Sequence, residues 1–100
     1  MRFEWDTKKN EINKTKHGVS FEQAAYVFAD ANMLSLFDNM HSDEEERWIT
    51  LGADELGNIL VVVHTYRVKK YEKIIRMISA RRATKNETKQ YYKRQKEGKK

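Results

Sequence analysis

The chain contains no cysteine and no proline, and only four glycines among 100 residues. Without cysteine there can be no disulfide and no thiolate metal site. Small domains of oxidising compartments often rely on such staples, so their absence fits the cytoplasm. Without proline, no segment is broken from within. Long apolar runs are also missing: the longest, 59–63, is far too short to span a bilayer. The opening Met1-Arg2-Phe3-Glu4-Trp5-Asp6 is charged and does not read as a signal peptide. His17, His41 and His64 lack the close spacing of a zinc site, and Asp43-Glu44-Glu45-Glu46 lacks the EF-hand pattern. Neither a glycine-rich phosphate loop nor a serine nucleophile motif is present. A metal, a cofactor and a membrane are therefore not expected.

What remains fits one small domain over 1–97, with 98–100 as a flexible basic tail. Charge is unevenly spread. Residues 1–80 carry 11 Lys/Arg against 13 Asp/Glu, a net −2, whereas 81–100 carry 9 against 2, a net +7. Such asymmetry suits a polyanion or an acidic protein as partner, and equally a solvated basic helix.

The hydropathy pattern gives the order β-α-α-β-β-β-β-α. Residues 2–5 alternate polar and aromatic, as a short strand does. Asp6 stands where an N-cap belongs before a polar helix over 7–16, and Gly18 suits its end. Ser20-Phe21-Glu22-Gln23 has the form of a capping box with reciprocal bonds. Phe21, Ala24, Ala25 and Phe28 then make one apolar helical face. Strands are predicted over 34–37, 47–52, 59–66 and 73–80, with an exposed acidic loop over 38–46 and turns over 54–58 and 67–71. Thr84 can cap a last helix reaching about residue 95. Strands in succession joined by short loops make an antiparallel meander, so the expected fold class is α+β, a mainly antiparallel sheet with helices packed on it.

Regular alternation puts Leu60, Val62, His64 and Tyr66 on one face of their strand. In the last strand it sets Ile74, Arg76, Ile78 and Ala80 against Ile75, Met77, Ser79 and Arg81. Arg76 thus falls among isoleucines, where it must pair with a carboxylate (Glu46 or Asp38), reach an edge, or line a cleft. Arg47, His64, Arg67 and Arg81 stand at strand ends that the meander brings together. Arginines with a histidine suit phosphodiester chemistry. Attack of an RNA 2′-hydroxyl on its own phosphate needs a base, an acid, and cations for the phosphorane. A guanidinium donates bidentately to phosphate and never deprotonates. Lys16 and His17 either complement a helix dipole or contact RNA. Tyr91 and Tyr92 either pack the last helix or stack on bases.

Several segments together resemble the BrnT family of toxins. They are Phe3-Glu4-Trp5-Asp6 with Lys9 and Asn13; Lys16-His17-Gly18-Val19-Ser20-Phe21-Glu22-Gln23-Ala24; Glu46-Arg47 leading to Gly52; Leu60-Val61-Val62-Val63-His64-Thr65 with Arg67; and Ile75-Arg76-Met77-Ile78-Ser79-Ala80-Arg81-Arg82-Ala83-Thr84, ending with Glu87 and Tyr91. The resemblance spans about residues 2–92. It implies a RelE-like fold and a metal-independent endoribonuclease that halts translation. It further implies a cognate antitoxin with a ribbon-helix-helix DNA-binding part, in a heterotetramer that reaches operator DNA through the antitoxin. Carried over, the catalytic candidates are Arg47, His64, Arg67, Arg76 and Arg81. The RNA-binding candidates are Lys16, His17, Arg82 and Lys85. The competing expectation is a non-catalytic module that binds RNA or an acidic protein through its basic C-terminal segment.

Overall fold

The computed structural model describes residues 1–41 and 45–97; the 98–100 tail and the centre of the acidic loop lie outside them. Strand β1 (Arg2–Glu4) leads into helix α1 (Thr7–His17) and a short helix α2 (Phe21–Ala25) that tightens into a 3-10 turn over Tyr26–Ala29. Strands β2 (Leu34–Phe37), β3 (Arg47–Ala53), β4 (Ile59–Lys69) and β5 (Glu72–Arg82) follow, then helix α3 (Lys85–Glu97). The five strands form one sheet in the order β1-β5-β4-β3-β2. The α+β order expected from the sequence is the one observed. The meander is antiparallel, while β1 joins the far edge parallel to β5, with Glu4 opposite Arg76.

Local signals account for the element ends. Asp6 Oδ1 accepts from the N–H groups of Lys8 and Lys9, and Gly18 closes α1 at φ 70°, where a side chain would be strained. Ser20 Oγ accepts from Gln23 N–H, but Gln23 does not reach back. Its amide donates to Asp54 Oδ2 at 2.8 Å, so this box is half a box and the other half ties α2 to the β3–β4 turn. The full reciprocal box belongs to α3: Glu87 N–H donates to Thr84 Oγ1, and Thr84 N–H donates to Glu87 Oε1. The β4–β5 hairpin is longer than alternation suggested. Lys69 pairs with Glu72 across a two-residue turn, and the central Lys70 and Tyr71 take φ 50° and 69°.

An irregularity in pairing fixes which side chains share a face. Val63 pairs with Ser79 but His64 with Met77, so Ile78 is an extra residue in β5. Beyond it the alternation of β5 inverts. Ile75, Met77 and Ala80 all join the core with Leu60 and Val62, beneath Val19, Phe21, Ala24 and Val27. Ile74, Arg76, Ser79 and Arg81 consequently share the opposite face, which corrects the strictly alternating assignment.

Helix α1 docks through amides rather than an apolar stripe. Its buried residues are Asn10 and Asn13. Asn13 Nδ2 donates to Ala80 O and Val19 O at 2.8 Å each, while Oδ1 accepts from Ala80 N–H. β1 pairs with β5 only as far as Arg76, so Asn13 satisfies the backbone where that edge would otherwise be bare. Asn10 holds Phe21 N–H and Glu22 in the same manner. Replacing Asn13 by Leu leaves two carbonyls and an N–H buried without partners. We expect a loss of about 3 kcal/mol in urea denaturation; a change below about 1 kcal/mol would contradict this reading of the α1 contact. In the hairpin, Lys70-Tyr71→Asn-Gly supplies residues that adopt positive φ readily and is expected to stabilise by about 1 kcal/mol, measurable as a raised Tm.

Candidate active site

The helices α1 and α2 cover one face of the sheet; the other carries a line of polar side chains. Across four strands, register sets Arg47 beside Thr65, Thr65 beside Arg76, and Arg76 beside Glu4. Arg67 lies on the same face, one row further along β4, opposite Ile74. At the β1 end of this row, Arg67 Nη1 donates to Glu4 Oε1 at 2.7 Å and Arg76 Nη1 donates to the same oxygen at 3.0 Å. The Arg67 and Arg76 bonds hold the Glu4 carboxyl below its usual range. Arg76, the guanidinium that fell among isoleucines, therefore has its carboxylate in Glu4 rather than in Glu46 or Asp38. The Arg67 and Glu4 side chains are 58% and 31% exposed, so the pair faces solvent and not a closed core.

Helix α3 lies over the other end of this same face. Arg81 makes a two-pronged pair with Glu87, Nη1 to Oε1 at 2.8 Å and Nη2 to Oε2 at 2.9 Å. The Arg81 bond, with the Thr84 backbone, draws the Glu87 carboxyl down to about 2. Tyr91 is buried and donates its hydroxyl to Asp30 Oδ2 at 2.6 Å, which anchors the helix. Of the two roles open to Tyr91, packing is the one observed. Burial and the Asp30 bond raise its phenol. A groove of about 460 Å³ runs between α3 and β2, lined by Met33, Leu34, Leu36, Gln90, Lys93 and Arg94; no candidate catalytic residue borders it.

The strand-end grouping of Arg47, His64, Arg67 and Arg81 is corrected by this geometry. Arg47, Arg67 and Arg76 belong to one region. Arg81 shares their face but stands five residues beyond Arg76, roughly 15 Å along the strand. His64 lies on the opposite face, inside the core and fully buried. Its ring meets Phe28 and Tyr66 edge-on at centroid distances of 4.8 and 5.0 Å, and Nε2 bonds Thr50 Oγ1 at 2.6 Å. Thr50 is bonded in turn to Ser35. Burial, with Lys73 nearby, pulls the imidazole down to about 4. Lys16 and His17 occupy the last turn of α1, on the helix-covered side. Arg82 ends β5 with Nη1 on Asn58 Oδ1 at 3.1 Å, and Lys85 begins α3. These four lie away from the Glu4 region.

Glu4 was not among the candidates read from the sequence. Its partners are 63 and 72 residues away, and only the parallel placement of β1 brings them close. Its place in the Phe3-Glu4-Trp5-Asp6 segment was the available signal. Among the described residues, no three His, Asp or Glu side chains are grouped so as to hold a metal ion. No described helix is long and apolar enough to cross a membrane.

The sequence model described as "Ribonuclease toxin, BrnT, of type II toxin-antitoxin system" matches residues 5–87. The chain belongs to the BrnT family. The crystal structure of the Brucella abortus ribonuclease toxin BrnT superposes with a TM-score of 0.59 over 85% of this chain and 99% of that one. At 22% identity, that likeness supports the BrnT fold alone. Among curated proteins, none matches. The BrnT match covers α1 to the first turn of α3, and with it Arg47, Arg67, Arg76 and Arg81; Glu4 immediately precedes it.

The buried imidazole of this BrnT chain gives a pH test. An unfolded histidine binds its proton near 6.5, the folded one only near 4. The unfolded state thus takes up more protons below about 6.5, and the His64 contribution is lost as pH falls. Between pH 7 and 5 this amounts to about 2 kcal/mol. The check is proton-detected titration of the ring: His64 is expected not to titrate between pH 7.5 and 5, and a midpoint near 6.5 would contradict its placement.

Proposed function

We propose that this chain is a metal-independent endoribonuclease toxin whose working groups are Arg67 and Arg76, with Arg47 beside them. The observation that carries the reading is the convergence of two guanidiniums on one carboxylate oxygen on an open sheet face. A non-bridging phosphate oxygen is an acceptor of the same charge and similar reach, so an RNA backbone can take the place that Glu4 holds. The 2′-oxygen attacks phosphorus and the bond to the 5′-oxygen breaks. The products are a 2′,3′-cyclic phosphate and a 5′-hydroxyl, the 2′ proton passing to water and the leaving oxygen taking one back. The arginines stabilise the added negative charge of the phosphorane without proton transfer. His64 is not assigned the base: its ring is sealed in the core and stays neutral above about pH 4. Arg81 is assigned to docking α3, because both ends of its guanidinium are committed to Glu87. Lys16, His17, Arg82 and Lys85 are assigned contacts to RNA phosphates outside the reacting linkage.

Family membership supports the partners. A cognate antitoxin neutralises the toxin in the cytoplasm, and its ribbon-helix-helix part carries the complex, a heterotetramer, to operator DNA. The basic C-terminal segment supports a second reading, a binding module without chemistry. Deleting 83–100 does not test it cleanly, because Glu87 and Tyr91 hold α3 to the sheet.

The discriminating experiment uses antitoxin-free protein and RNA in EDTA. Wild type is expected to cleave. Arg67→Ala and Arg76→Ala are expected to lose about 100-fold or more with the fold intact. Arg81→Ala is expected to lower Tm with little change in cleavage per folded molecule. Intact RNA with wild-type protein, or full activity in both Arg67 and Arg76 variants, overturns the enzyme reading.

A further inference from the structure

Thr65 presents a contradiction in terms of stability. It is 1% exposed, and its hydroxyl has no hydrogen-bond partner. A buried hydroxyl left unpaired is costly, while valine, with nearly the same shape, would carry no such cost at this strand position. Two buried side-chain atoms among the described residues are in this condition, Thr65 Oγ1 and His64 Nδ1. His64 points into the core beneath the helices. Thr65 lies on the opposite face, in the middle of the polar row, with Arg47 on one side and Arg76 on the other. Along its own strand the next residue on that face is Arg67.

The neighbours that flank this hydroxyl are therefore long cationic side chains, and two of them are drawn aside to Glu4. Arg67 and Arg76 both bond the one oxygen of Glu4 and leave Thr65 unserved. Glu4 stands at the β1 end of the row, so an anion that drew both guanidiniums back toward β4 would bring its oxygens over the centre. The same movement would have to uncover the hydroxyl, which is buried in the free protein. Because phosphate carries several acceptor oxygens, it can receive the two guanidiniums and a hydroxyl at once.

We propose that the Thr65 hydroxyl is a third donor of the phosphate site, unpaired in the free protein because its partner is the scissile phosphate of RNA. Glu4 serves as the resident anion that keeps Arg67 and Arg76 together until substrate displaces it. This rests on the ribonuclease reading and adds a binding residue to it. It also explains why a threonine is placed where an unpaired hydroxyl lowers stability.

The test separates hydroxyl from methyl. Thr65→Val keeps the shape and removes the donor; Thr65→Ser keeps the donor and removes a buried methyl. Activity is expected to follow the hydroxyl, and stability the methyl. Thr65→Val should melt at or above the wild-type Tm yet lose roughly tenfold in cleavage, the loss of one hydrogen bond to a charged group. Thr65→Ser should melt lower and retain cleavage to within about threefold. If Thr65→Val cleaves as well as wild type, or if activity falls in Ser and not in Val, the proposal is overturned.

A parallel titration with an oligoribonucleotide carrying 2′-deoxy sugars, which cannot react, reads binding apart from chemistry. If wild type binds this probe more tightly than Thr65→Val but cleaves no RNA, the ribonuclease reading fails while the donor role stands. Equal affinity of Val and wild type for the probe overturns the donor role, whatever the outcome for cleavage.

Discussion

Two guanidiniums side by side on a sheet repel unless a counter-charge lies between them, and in this protein the counter-charge comes from the other end of the chain. Arg67 on β4 and Arg76 on β5 share Glu4 Oε1 from β1. That one oxygen ties the first strand to the central hairpin and sets the direction in which both arginines point. Because the group sits at the surface, its worth to stability is modest. Its larger effect is organisation: two forks converge on the volume of a single anion. The chemistry proposed for the chain, and the part assigned to Thr65, follow from that convergence.

The sheet is partitioned to keep this region open. Asn13 on α1 completes the edge of β5 beyond β1, α2 and its 3-10 turn cover the apolar face, and α3 is latched over the far end of the opposite face. Close packing at the latch leaves little latitude. A methyl on Gly52 would stand 2.7 Å from Val27 Cγ1, while Asp30 beside it binds Ala53 N–H and Tyr91. Along the row from Arg47 to Glu4 the charged side chains are half-buried and Thr65 between them is buried, while Arg67 stands exposed beside it. A shallow, cationic, open surface suits a polymer whose phosphates arrive from outside better than a small molecule that needs enclosure.

Much of this was legible in the sequence because it is local. Asp6 before a polar run, Gly18 after it, and the valine-rich stretch at 61–63 each act within a few residues, and the elements formed where those signals stood. The failures share a cause, which is distance along the chain. Gln23 looked free to complete a capping box until Asp54, 31 residues on, offered a better-placed acceptor. Strict alternation put Arg81 and Arg76 on different faces, and one extra residue at Ile78 put them on the same one. His64 looked like a strand-end catalyst, yet Phe28, brought over it by the 3-10 turn, closes that side. No periodicity in the first six residues could have indicated that Glu4 answers Arg76. The BrnT resemblance drew attention to the segments that carry these residues, while the fold decides which of them meet.

The central claim is that arginines on this face drive attack by the 2′-hydroxyl of RNA. Analysis of product ends tests it most directly, with antitoxin-free protein acting on one oligoribonucleotide and on its counterpart lacking the 2′-hydroxyl at the cleaved linkage. The account predicts 2′,3′-cyclic phosphate and 5′-hydroxyl ends from the first and no cleavage of the second at that linkage. Cleavage of both alike, or products that carry a 5′-phosphate, would contradict it.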